Sequence, residues 1–140
     1  MPSVNWKPPA GRVLVLAAHP DDETLGCGGA LLLHRKRGDP VRVIIVSDGK
    51  AGDPDHLNAV PNLAILRRRE ARAAAKKLGV RELEFWSYPD SALSGHRGLT
   101  DRLINLFKDN NPRLLYRPAA DAPHPDHRAL RRAVERALRR

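Results

Sequence analysis

The chain has 140 residues, a formal charge of +9 and an isoelectric point near 10.6. Its length suits one domain over residues 1–140 built around one core; the single cysteine, Cys27, excludes an internal disulfide framework, and no apolar run approaches the ~20 residues of a membrane-spanning helix. The basic balance fits an anionic partner, but aromatics make up only 4% of the chain, which leaves little from which to build a base-stacking surface, so nucleic acid is disfavoured.

Nothing at the N-terminus has the basic, apolar and cleavage segments of a secretory signal, and a reducing, cytoplasmic setting is the expectation. Residues 1–11, with Pro2, Pro8 and Pro9, read as an extended lead-in. Residues 12–17 are a nearly continuous apolar run, the pattern of a strand covered on both faces. They run into Ala18-His19-Pro20-Asp21-Asp22-Glu23 and then Leu25-Gly26-Cys27-Gly28-Gly29, inside a helix expected over 22–37 and stopped by Gly38-Asp39-Pro40. A second strand, 41–46, is followed by a loop to about Asn62.

In the next helix Leu63, Leu66, Ala74 and Leu78 share a face, while Arg67, Arg68, Arg69, Lys76 and Lys77 crowd the remainder and Gly79 closes it. A third strand over 82–86 precedes a polar loop through Gly98 that is longer than linkage requires. Leu99, Leu103, Leu106 and Phe107 mark a third helix, and Asn110-Asn111-Pro112 breaks it before a fourth strand, 113–117. A loop then delivers His124 and His127, and a last helix carries Ala129, Leu130, Ala133, Val134, Ala137 and Leu138. Solvated faces of the helices near 67–77 and 128–140 account for much of the basic excess.

Four strand–helix units in succession predict an α/β, Rossmann-like three-layer sandwich with a mostly parallel sheet and right-handed crossovers. In the strand order 3-2-1-4, strands one and four are neighbours, and the crevice at that switch point is lined by residues 19–23 and 124–127. Each tetrapeptide taken separately also fits helix-start punctuation; side by side they form a constellation. Two histidines and a carboxylate meet the needs of a catalytic zinc site, which keeps a fourth position open. Asp21 and His124 are surplus groups of the kind a hydrolase uses, as base for the attacking water and acid for the departing amine.

Ala18-His19-Pro20-Asp21-Asp22-Glu23 with Gly26-Cys27-Gly28-Gly29 and His124-Pro125-Asp126-His127 resembles the LmbE-like, or PIG-L, family of zinc-dependent N-deacetylases. Ser47-Asp48-Gly49, Arg67 with Glu70, Leu78-Gly79-Val80 and Pro89-Asp90 extend the resemblance over nearly the whole chain. It implies hydrolysis of an N-acetyl or other acyl group from an amino sugar, such as an N-acetylglucosamine conjugate. It further implies that His19, Asp22 and His127 bind Zn2+, that Asp21 is the general base, that His124 steadies the tetrahedral intermediate and that Asp126 orients His124. Asp48, Arg67 and Asp90 are then the substrate-binding residues, although an arginine at a helix start that pairs with a carboxylate is an equal reading of Arg67. A carboxylate beside His124 should hold its imidazole protonated.

Gly26-x-Gly28-Gly29 lies in the helix start and not in a strand-to-helix turn, which argues against dinucleotide binding and for close helix–strand packing. Cys27 reads as a small buried apolar residue, and His34, His56 and His96 as surface residues. Family members continue past the last helix, so the chain looks C-terminally short; walls for a sugar would come from loops 47–62 and 87–98 or from a second copy in a homo-oligomer. Two other functions fit parts of the pattern: a metal-binding remnant without activity, and a basic nucleic-acid-binding module.

Overall fold

In a computed structural model, which describes residues 6–52 and 60–140, the first strand lies at the centre of the sheet. The first half of the lead-in, much of loop 47–62 and His56 lie outside the described residues. Strands β1 (Val13–Ala17), β2 (Val41–Ser47), β3 (Glu82–Tyr88) and β4 (Leu114–Tyr116) alternate with helices α1 (Asp22–Arg37), α2 (Leu63–Leu78), α3 (Leu99–Asn110) and α4 (Pro125–Leu138). All pairings are parallel, in the expected order β3-β2-β1-β4.

Strand residues point alternately to the two faces of the sheet, and both faces are covered, which is why β1 is apolar without a break and β2 is apolar from Val43 to Val46. Val13, Val15, Ala17, Val43 and Ile45 pack under α1 and α2, against Leu31, Ala71 and Ala75. Leu14, Leu16, Ile44 and Val46 pack under α3 and α4, against Leu99, Leu103, Leu106, Leu130 and Val134. Each fully buried leucine or isoleucine here contributes about 1.5–3 kcal/mol by its removal from water. The result is the expected three-layer sandwich.

Two boundaries differ from the sequence reading, both near the crevice. β3 continues to Tyr88 because a register shift against β2, between Ile45 and Ser47, lets the strand run on past Ser87, whose φ is 59°. α4 begins at Pro125, so His127 stands on a helix and not in a loop. Proline suits the first helical position because its missing N–H has no partner there in any case. Among the described residues no helix is long and apolar enough to cross a membrane.

Candidate metal centre

The switch point between β1 and β4 brings three chain segments together. His19 lies two residues beyond β1, Asp22 opens α1 and His127 sits in the first turn of α4. Asp22 Oδ2 is 3.6 Å from His19 Nδ1 and 2.9 Å from His127 Nε2, and the two imidazole centroids are 5.2 Å apart. Ligands that share a tetrahedral ion at bond lengths of about 2.0–2.2 Å lie roughly 3.4 Å from one another. The spacing therefore suits one small divalent cation.

The far side of His19 faces two buried carboxylates, with Nε2 3.0 Å from Asp90 Oδ1 and 3.1 Å from Asp126 Oδ2. An N–H on Nε2 donates to Asp126 Oδ2, with the Asp90 carboxylate beside it as a close charge, and leaves the Nδ1 lone pair on the side of Asp22. Carboxylates commonly orient metal-binding imidazoles in this way. The sequence reading set neither aspartate against His19, because only the fold shows which imidazole they meet. Burial on its own pushes His19 down, but Asp22, Asp90 and Asp126 outweigh it and hold the imidazole above its ordinary value. Burial pushes Asp22 up, and the hydrogen bonds from His19 with the charge of His127 bring it below the usual carboxylate range.

A second grouping, His19, His124 and Asp126, also brings its donor atoms within 4.8 Å of one another. Those atoms are already committed. Asp126, 1% exposed, accepts from the backbone N–H of Ser91 at 2.7 Å and of Leu93 at 3.1 Å, tying the β3–α3 loop to α4. His124 Nδ1 accepts from the Asp126 N–H at 3.1 Å as the cap of α4. The donor set His19, Asp22 and His127 thus fits the ion better.

Asp126 meets His124 through its backbone and not its carboxylate, the bond between them running from the Asp126 N–H to His124 Nδ1. An Nδ1 that accepts from an amide keeps its lone pair, so the ring N–H is on Nε2.

Asp21, 51% exposed at its side chain, stands at the rim with a φ of 144°, a conformation that L residues rarely adopt. Arg67 braces it. The Arg67 guanidinium donates to Gly49 O at 2.8 Å, Pro20 O at 2.9 Å and Asp21 Oδ2 at 3.0 Å. Gly49 has a φ of +66°, and a Cβ there would lie 2.7 Å from Pro20 Cδ and 2.8 Å from Arg67 Nη1, so only glycine allows this approach. Asp48 Oδ1 accepts from the N–H groups of Lys50 and Asp90, joining the loops after β2 and β3. Asp90 Oδ2 accepts from Ala51 N–H at 2.9 Å.

A cleft of about 350 Å³ opens over the cluster, lined by His19, Asp21, Asp22, Ala51, Gly52, Arg67, Asp90, Ser91, His124 and His127. Every predicted site residue except Asp48 and Asp126 reaches its wall, and those two lie behind it. Four readings outside the centre need correction or refinement. His34 is fully buried and not at the surface, because Asp39 Oδ2 at 2.7 Å and Tyr116 Oη at 2.9 Å bond both ring nitrogens. His96 is half-buried, packed edge-on against Tyr88. The glycines do not serve close helix–strand packing: a Cβ on Gly26 or Gly29 would meet nothing within 4 Å, and one on Gly28 would only touch Leu78 at 3.7 Å. Cys27 is half-buried, its thiol pushed up to about 11 by burial and the nearby Glu23 charge.

The PIG-L family model, described as GlcNAc-PI de-N-acetylase, matches residues 14–138. The probable N-acetyl-alpha-D-glucosaminyl L-malate deacetylase 2 of Bacillus subtilis is 34% identical over 137 residues, covering 92% of this chain and 61% of the relative. The N,N'-diacetylchitobiose deacetylase of Pyrococcus horikoshii, solved with its inhibitor MPG, superposes with a TM-score of 0.82 at 27% identity, covering 91% of this chain and 49% of that one. GalB, the 4-carboxy-2-hydroxymuconate hydratase of Pseudomonas putida KT2440, superposes with a TM-score of 0.77 at 27% identity, covering 92% and 55%. The chain therefore spans between 49% and 61% of the length of these three proteins. A match that runs from β1 to the end of α4 places the chain in the PIG-L family.

Proposed function

We propose that the chain is a zinc-dependent amidohydrolase that removes an N-acetyl or other acyl group from an amino sugar or its conjugate, acting in the cytoplasm. One observation carries the reading: His19 Nδ1, Asp22 Oδ2 and His127 Nε2 converge at ligand spacing, with a half-exposed carboxylate, Asp21, beside them in the same cleft. The relatives named for deacetylation of N-acetylglucosaminyl malate and diacetylchitobiose support the substrate class.

His19, Asp22 and His127 would hold the ion, which when bound supplies Lewis-acid polarisation of the amide carbonyl and a nucleophile near neutral pH. Asp21 takes the proton of the attacking water and returns it to the departing amine. Its bond to Arg67 keeps the carboxylate at one place on the rim. His124 offers its Nε2–H to the developing oxyanion, the tautomer set by the Asp126 amide on Nδ1. Asp126 and Asp90 keep His19 in the metal-binding orientation, Asp90 and Arg67 also line the sugar cleft, and Asp48 holds the loops that form its wall.

Metal analysis of the purified protein, paired with an acetate-release screen on N-acetylglucosamine conjugates, tests the reading. Asp22→Ala should lose the metal, whereas Asp21→Ala should keep it and lose about 10²–10⁴ in rate. Equal metal content with equal activity loss in the two variants would refute the assignment. The hydratase neighbour supports a second reading, water addition to an unsaturated acid at the same centre. Turnover of a conjugated enoic acid without acetate release from any amide would select it.

A further inference from the structure

Asp22 and His127 line two clefts and not one. The second, of about 430 Å³, lies on the far side of them from Asp21, between the end of β1, the first turns of α1 and the loop that follows β4. We propose that it is a subsite for an apolar acyl group longer than acetyl. The inference rests on the amidohydrolase reading, and it names which amides that activity prefers.

An amide held at the centre has an amine side and an acyl side, and the two clefts differ as those sides do. The first offers His19, Asp21, Arg67, Asp90, Ser91 and His124, which suit hydroxyl groups. The second offers Leu25, Cys27, Pro118, Ala119 and Ala122. Its polar side chains are spent on other bonds. Glu23 accepts from Asp21 N–H and Thr24 Oγ1, Tyr116 Oη bonds His34, Cys27 Sγ donates to Glu23 O, and Arg117 bonds Pro118 O and Glu135. A sugar there would leave its hydroxyls without partners, at a cost that excludes it.

Size and exposure point the same way. An acetyl methyl occupies space on the scale of one water, about 30 Å³, far less than the cleft. Leu25 at the rim is 82% exposed, an apolar surface that an acyl chain would cover. Gly26 lines the cleft with nothing within 4 Å of where its Cβ would be, so the missing side chain is what keeps the space open. The motif glycine that packing does not require thus acquires a use.

The test compares N-acetyl-, N-butanoyl-, N-hexanoyl- and N-octanoylglucosamine as substrates of the metal-loaded full chain. The expected kcat/KM rises about fourfold per added methylene over the first few. Gly26→Leu, which fills the cleft and favours the helix, should flatten that rise. Gly29→Leu, equally open but outside the cleft, should leave the slope as it is. Calorimetric binding of N-octanoylglucosamine against N-acetylglucosamine gives a readout independent of turnover. Tighter binding of the octanoyl compound, lost in Gly26→Leu, would uphold the subsite even if no amide were hydrolysed. A flat or falling series together with equal binding of the two compounds would overturn it.

Discussion

Replacing Arg67 by methionine separates two roles for that residue, a brace for Asp21 or a hand on the substrate. The guanidinium, 15% exposed, donates to two backbone carbonyls, Gly49 O and Pro20 O, as well as to Asp21. Each bond from a charged donor is worth about 1.5–3 kcal/mol, and part is recovered when water reaches the freed carbonyls at the open cleft, so a loss of about 2–4 kcal/mol is expected. The ion pair with half-exposed Asp21 adds at most about 1 kcal/mol. At about 3 °C per kcal/mol for a chain of this size, the melting temperature should fall by about 6–12 °C. Released from Pro20 and Gly49, the Asp21 carboxylate loses its position, and kcat should fall about 100-fold while KM moves much less. Thermal melts and steady-state kinetics on the same preparation measure both. Unchanged kcat and melting temperature with a large rise in KM would refute the bracing role and leave Arg67 as a substrate contact.

Asp126→Asn should weaken zinc binding about 10–100-fold, because an amide cannot supply the charge behind His19 and also accept from both Ser91 and Leu93. Competition with a chromophoric chelator measures it, and unchanged affinity would remove Asp126 from the support of His19. A third prediction concerns acid stability. The Arg37 guanidinium, with help from His34, holds Asp39 at about 2 against an ordinary 3.8. A carboxyl lowered by folding stabilises the native state above its unfolded pKa, and that contribution is lost as pH falls from 3.8 through about 2. Urea melts should therefore show a shallower loss over that window for Asp39→Asn than for the parent, and parallel curves would contradict it.

The sheet was legible because β1 is apolar without interruption and β2 carries the apolar run Val43 to Val46, which in a chain of alternating strands and helices implies a central parallel position. That placement in turn brought His19 and His127 together before any distance was known. The support of His19 was not legible, since Asp90 and Asp126 reach its Nε2 only through the path of the β3–α3 loop and the start of α4. α4 was read late because histidine is an uncommon helix cap and His-Pro-Asp-His looks like a loop. His34 misled for a related reason: it sits beside Arg35, Lys36 and Arg37, and its burial depends on Tyr116, 82 positions away. Local composition carries no trace of such a partner.

The central position of β1 has a consequence for how the protein is made. β1 emerges from the ribosome before the other three strands and pairs with β2 soon afterwards, but its other edge waits until Leu114–Tyr116 has been synthesised. During that interval the nascent chain presents an apolar, unpaired strand edge, the kind of surface that recruits chaperones or other chains. The proposed metal donors share this delay, because His127 is supplied by α4. An ion held by these residues would bind only once β1 to α4 is in place, and it would clip residues 19 and 127 together. A bond that closes so long a loop draws binding energy directly into the stability of the whole. Zinc supply during synthesis should then set the yield of folded protein, and not merely its activity.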